Sequence, residues 1–260
     1  MNRIARYIAA AIFGGLTVML LCAAYTSEAI RRGRQVCSGT DICIKDSLKN
    51  RFVTSEAILS YIVSNCGNPV GKSLDSLSLT DIEKMADTQS AVKKSEVYLT
   101  RDGVLHIDII QRDPLLRFQK DSIGFYADEE GYIFPLQPAS AARVPVIDGN
   151  IPINADSRYK GRPQSRKEQE WTDNIVNMVR YMRDSGIWLE NTAQIHVDKN
   201  GDLILVPLHG KEKFIFGQPV SVEEKFRKIG LYYTGIQPEK GEGYYSTVDL
   251  KYDGRIICRK

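Results

Sequence analysis

The sequence is poor in the residues that carry chemistry. Three histidines are spread over 260 residues. His106 and His196 occupy alternating polar positions of strand-like runs, and His209 falls in a turn. None sits in an HxH, HExxH or Cys/His spacing, so no recognised zinc motif is present. The GxSxG elbow of a serine nucleophile is missing. Gly241-Glu242-Gly243 lacks the third glycine of a dinucleotide loop and precedes a strand, where that fingerprint needs a helix. The five cysteines contain no CxxC pair, which removes the redox dithiol motif. Cys22 falls in an apolar run. Cys37, Cys43, Cys66 and Cys258 allow three complete pairings, and equally allow none; spacing does not choose. An excess of one charge is also absent. With 35 basic and 32 acidic residues the net charge is only +3, without the basic stripe of a nucleic-acid binder. Repeats and low-complexity segments are absent. The acidic turn Asp128-Glu129-Glu130 reads as solvated, although carboxylates paired only in space are invisible in a sequence. The expectation is a protein without cofactor, metal or small-molecule substrate, and not an enzyme.

Long hydrophobic runs are lacking, with one exception. No charged residue occurs from Tyr7 to Tyr25. At about 1.5 Å per helical residue this stretch approaches the roughly 30 Å of a bilayer core. It is longer than the apolar region of a cleaved signal peptide and lacks a clear cleavage boundary. Leu21 before Cys22 argues against a lipoprotein signal. A retained single-pass helix over 8–25 is expected, after a short cytoplasmic tail at 1–7. Ala10, Ala11, Gly14 and Gly15 give it small-xxx-small spacings suited to helix packing. Arg3 and Arg6 before it, and Arg31, Arg32 and Arg34 after it, leave the positive-inside count ambiguous. Long domains translocate largely regardless of flanking charge, so residues beyond the span are expected outside the cytoplasm.

Residues 36–112 read as strand, helix, helix, strand, strand. Val36–Lys45 is β-compatible. A helix capped by Thr54 runs from Ser55 to Ser64 with Ile58, Leu59 and Ile62 on one face, and Gly67 and Pro69 stop it. A second begins at Thr80, where Thr80 and Glu83 form a capping box. Val92–Thr100 and Val104–Gln111 are strands joined through Asp102-Gly103, a hairpin signal. Residues 113–260 read as mostly antiparallel strands with two helices. Strands are expected at Leu115–Phe118, Ile123–Ala127, Tyr132–Phe134 and Val144–Ile147. A helix over Ser165–Ser185 carries the stripe Trp171, Ile175, Met178, Val179 and Met182. Gln194–Val197, Leu203–Pro207 and Lys213–Phe216 form a meander. A last helix opens with a capping box at Ser221 and Glu224 and buries Val222, Phe226, Ile229 and Tyr233. Tyr244–Tyr252 and Arg255–Lys260 then make a hairpin around Asp253-Gly254. A two-residue loop there sets Tyr252 against Arg255, Leu250 against Ile257 and Val248 against Arg259. The fold class is α+β: an N-terminal transmembrane helix, a β-α-α-β-β domain at 36–112, and a β-domain at 113–260.

Several motifs resemble one family in its order along the chain. The β-α-α-β-β block looks like a POTRA domain. Gln111-Arg112-Asp113-Pro114 resembles the Arg-x-Pro exit of the POTRA domains of the FtsQ/DivIB family. Tyr126-Ala127-Asp128-Glu129-Glu130-Gly131-Tyr132-Ile133-Phe134 resembles its Asp-x-x-Gly-x-x-Phe segment. Val144–Gly149, Phe216-Gly217 with Lys225, and Val248-Asp249-Leu250-Lys251-Tyr252 are similar to later segments. The resemblance implies a non-enzymatic single-span divisome scaffold of the inner membrane at the septum, its C-terminal domain periplasmic and its partners similar to FtsB and FtsL. An anchored POTRA adaptor of another envelope-assembly pathway and an anchored periplasmic cell-wall hydrolase are the alternatives.

The final strand is the candidate binding element. A chain-terminal strand often forms a sheet edge, which accepts a partner's strand by β-augmentation. The resemblance maps partner binding onto Tyr252 and the segment Gly254, Arg255, Ile256, Ile257, Cys258 and Arg259. Arg255, Arg259 and Lys260 also suit the plainer task of protecting an edge from aggregation.

Overall fold

The computed structural model describes residues 12–26, 35–45 and 51–260. The proposed tail 1–7, the start of the proposed span, and Arg31, Arg32 and Arg34 lie outside them. Residues 12–26 are helical (α1), with Ile12, Phe13, Leu16 and Leu20 exposed. Among the described residues no helix is long and apolar enough to cross a membrane. The remaining described chain forms two compact units, one over 35–45 and 53–110, the other over 51–52 and 111–260.

The first unit is a three-stranded sheet in the order β1-β3-β2 with two helices. β1 (Gly39–Ile44) runs parallel to β3 (Val104–Gln111), and β2 (Val92–Leu99) leads into β3 through the turn at 100–103. Leu105, Ile107 and Ile109 alternate onto the covered face, where Ile58 and Ile62 of α2 (Ser55–Cys66) and Ile82 and Ala86 of α3 (Leu79–Asp87) complete the core. Each of these leucine and isoleucine side chains contributes roughly 1.5–3 kcal/mol on burial. The Thr54 hydroxyl caps α2 by accepting the Ala57 N–H. The second cap differs from expectation. Ser78, not Thr80, accepts the Asp81 N–H, so α3 starts two residues earlier than expected and Thr80 lies inside it. Serine is a somewhat better N-cap than threonine, and the Thr80–Glu83 spacing alone picked the wrong one.

The second unit is built on a nine-stranded sheet, β12-β11-β10-β9-β8-β7-β4-β5-β6. Its first part is β4 (Pro114–Lys120), β5 (Ile123–Asp128), β6 (Ile133–Pro135) and β7 (Val146–Gly149). Pro114 opens β4, where a missing N–H costs the ladder least. β8 (Thr192–Val197), β9 (Leu203–Pro207) and β10 (Lys213–Gly217) form the meander, and β11 (Thr247–Asp249) and β12 (Ile257–Arg259) close the chain. The sheet is more mixed than expected. Five neighbouring pairs are antiparallel, but β4–β7, β7–β8 and β10–β11 are parallel.

Register makes one face of this sheet apolar from side to side. Phe125, Phe118, Ile147, Ile195, Leu205, Phe214, Val248 and Cys258 follow one another across eight strands. All belong to one core cluster, with Cys258 half-buried at its end. Helix α4 (Arg166–Asp184) lays Trp171, Ile175, Met178, Val179 and Met182 on this cluster, and α5 (Val222–Leu231) adds Phe226 and Ile229. The adjacent row, Gln119, Asp148, His196, Ile204, Ile215, Asp249 and Ile257, points to the opposite face.

Ser165 and Glu168 form the reciprocal capping box of α4. The box expected at Ser221 does not form. Ser221 sits in the left-handed region (φ 53°) and makes no side-chain cap bond, while Glu224 is engaged elsewhere. After α5 the chain takes a π-helical turn, Tyr232–Ile236, and a short α6, Gln237–Lys240.

Candidate functional site

β12 is a sheet edge: among the described residues its only strand neighbour is β11. The hydrogen bonds of β11 establish which groups of β12 remain outward. The Ser246 carbonyl accepts the Lys213 N–H at 2.9 Å and the Leu250 N–H donates to the Ile215 carbonyl at 3.0 Å, so this register turns Val248 toward β10. Thr247 and Asp249 therefore turn toward β12, where they lie opposite Arg259 and Ile257. The Arg259 carbonyl also faces β11, where it accepts the Ser246 N–H at 2.8 Å, one residue before the Thr247 that the register sets opposite it. By alternation the backbone N–H and C=O of Cys258 face the open edge.

The hairpin differs from the sequence expectation by one residue. Val248 is opposite Cys258, not Arg259, and Asp249, not Leu250, is opposite Ile257. Residues 250–256 form a long connection in place of a two-residue loop. A type I′ turn requires positive φ at both central residues, but only Gly254 has it (φ 64°), not Asp253. Tyr252 does not pair across the hairpin with Arg255 as a strand residue. Its carbonyl accepts the Arg255 N–H at 3.3 Å within the turn.

A buried lysine holds this connection open. Lys228 of α5 is nearly inaccessible, and its ammonium donates to the Tyr252 carbonyl at 2.7 Å and the Leu250 carbonyl at 3.4 Å. Glu224, one turn earlier on α5, pairs with Lys228 at 3.0 Å. Its carboxyl is held below the usual carboxylate range by the Lys228 hydrogen bond and by the Gly254 N–H. The strand's approach is pinned from the other side as well. Lys251 donates its N–H to Asp249 at 3.0 Å and its ammonium to Asp202 at 2.8 Å. Gly217, with φ 74°, makes room for it: a Cβ there would stand 2.7 Å from Lys251 Cγ.

The expected site residues thus fall into two groups. Ile257, Cys258 and Arg259 form the edge strand, while Tyr252, Gly254, Arg255 and Ile256 lie in the connection that presents it. Tyr252, Gly254, Arg255 and Arg259 are exposed, and Ile256 and Cys258 rest on the core. Sequence reasoning missed Lys228 and Glu224. Their only signal is an i,i+4 acid–base spacing on a helix, which usually marks a solvated pair. Tyr244 and Lys260 were also missed as a pair: the ammonium lies 4.4 Å from the ring centroid, next to the edge.

The remaining motif residues are structural. Arg112 pairs with Asp128 at 2.8 Å and lies over the Tyr132 ring, and Asp128 also accepts the N–H groups of Glu130 and Tyr132. Lys225 donates to the Gln218 carbonyl at 2.7 Å above the Phe216 ring, and burial pushes its pKa down. The two strand histidines are tied to carboxylates, His106 to Asp41 at 3.1 Å and His196 to Asp148 at 2.6 Å.

Comparison with known proteins agrees with this architecture. No curated protein gives a significant match to the chain. Residues 35–110 match the family described as POTRA-like domain, and residues 113–259 match the family described as FtsQ/DivIB, C-terminal related. The second match covers more than half of the chain and contains every motif from Asp113-Pro114 to the edge strand. The chain therefore belongs to the FtsQ/DivIB family, a division-associated family, here with a POTRA-like domain before its C-terminal domain.

Proposed function

We propose that this protein is a non-enzymatic scaffold of the division machinery that holds partner proteins at the septum by β-augmentation on β12. It sits in the inner membrane through its N-terminal apolar segment, with both units in the periplasm. Its partners resemble FtsB and FtsL. The supporting observation is the outward backbone of Cys258 on an edge strand whose approach is pinned by Lys228, Glu224 and Lys251. An edge that is ordered before binding forfeits less entropy when it accepts a strand.

The test separates backbone from side chain. Proline at an outward position removes the donor without breaking a bond to β11, whereas valine keeps it. Cys258→Val in the full-length chain, extracted from its native membrane, is expected to co-purify with its division partners. Cys258→Pro and Ile256→Pro are expected to lose them with an unchanged circular dichroism spectrum. Folded proline variants that retain partners at the wild-type level place the docking surface elsewhere.

A further inference from the structure

The side chains of β12 specify more than an open backbone does. Three consecutive residues alternate between the two sheet faces. Cys258 ends the apolar row that crosses eight strands on the helix-covered face. Ile257, half-buried, ends the row on the opposite face, and Arg259 lies beside it on that same face. The row of Arg259 runs Lys213, Thr247, Arg259 and contains no carboxylate. Arg112, Arg162, Arg166 and Arg183 all pair with carboxylates. Arg259 and Arg255, exposed at the edge, have no ion pair among the described residues.

We infer that the strand accepted by β12 carries an acidic residue opposite Arg259, followed across the edge by apolar residues opposite Cys258 and Ile257. The inference rests on the binding role proposed above for this edge. An apolar residue opposite Cys258 extends the core row by one strand, and one opposite Ile257 covers a half-exposed isoleucine. A carboxylate opposite Arg259 supplies the cross-strand ion pair that no described residue of the chain provides. The acidic residue comes first in the partner if it docks antiparallel and last if it docks parallel. A second copy of this chain is a poor occupant. Antiparallel pairing about Cys258 would set Arg259 against Ile257 of the other copy and bring Arg255, Arg259 and Lys260 of both together.

Blocked ten-residue strand-forming peptides test this against the full-length chain in mild detergent. Two carry a central glutamate–valine–valine or valine–valine–glutamate triplet, and two carry lysine in place of glutamate. One glutamate peptide is expected to bind roughly 3- to 10-fold more tightly than its lysine counterpart, with the preference reversed in Arg259→Glu. The preference should shrink as salt rises. Equal binding of glutamate and lysine peptides, or an unchanged preference in Arg259→Glu, overturns the inference. If those peptides still fail on Cys258→Pro, the edge remains the docking site and only its specificity was misread. Peptide binding that survives Cys258→Pro, or no peptide binding at all, overturns both. So does self-association by sedimentation that Cys258→Pro abolishes, because the occupant is then a second copy.

Discussion

Lys228 Nζ lies 2.7 Å from the carbonyl oxygen of Tyr252, joining the hidden face of α5 to the loop that delivers the edge strand. The ammonium is buried, yet its donors reach two backbone carbonyls and the Glu224 carboxylate. A buried cation in this setting is satisfied by the very connection it shapes.

Lys228→Met should therefore loosen the edge more than the core. Losing buried donors to two carbonyls costs about 1–3 kcal/mol. Amide exchange over 250–259 is expected to accelerate while that of β8 and β9 stays slow, with partner capture weakened in proportion. Lys228→Arg should restore part of both. Unchanged exchange at 250–259 in the methionine variant would show that the edge is ordered by β11 alone.

Arg112 and Asp128 form an ion pair in which both side chains are largely buried, 11% and 6% exposed. Breaking such a pair strands the remaining charge and costs about 3–5 kcal/mol. Arg112→Met and Asp128→Asn are each expected to lower the urea midpoint of the second unit. The double variant should be less destabilised than the two single losses added together. Strict additivity in that cycle would mean that the two side chains do not couple.

Alkaline stability should depend on Tyr232. Burial, with Glu212 nearby, pushes its phenol up to about 12. The unfolded phenol ionises near pH 10, at roughly the unperturbed value. Below pH 10 both states hold the proton and the contribution is complete. From pH 10 to about 12 only the unfolded state releases it, so stability falls by about 1.4 kcal/mol per pH unit. The melting temperature should drop across this window, and Tyr232→Phe should flatten part of the drop. An identical slope in the phenylalanine variant would exclude Tyr232 as the source. Tyr233, raised by burial and by its hydrogen bond to Glu212, adds to the same loss.

Gly217→Ala combines a strained backbone with a clash at Lys251. A cost of about 1–3 kcal/mol is expected from holding a non-glycine residue at this φ. The Lys251–Asp202 contact should loosen with it, seen as a lower melting temperature and faster exchange at Lys251. A neutral variant would show that this turn re-forms with negative φ.

Much of the architecture was legible locally. Ile58 and Ile62, the alternating Leu105, Ile107 and Ile109, and the stripe on α4 each repeat with the period of their element, and burial follows the period. The edge hairpin was legible only in outline. Asp253-Gly254 is a strong local signal for a two-residue loop, and it failed because Lys228, more than twenty residues away, takes the carbonyls of Leu250 and Tyr252.

What the sequence by itself determined is the set of elements and their buried faces, since hydrophobic period and turn chemistry act over a few residues. The order of motifs also pointed to the family. Only the tertiary structure decided that β7 lies between β4 and β8 in parallel pairing, that β12 ends the sheet, and that Cys258 rather than its neighbours turns its backbone outward. Those choices depend on hydrogen bonds between segments distant in sequence, where a one-residue change of register exchanges every inward group for an outward one.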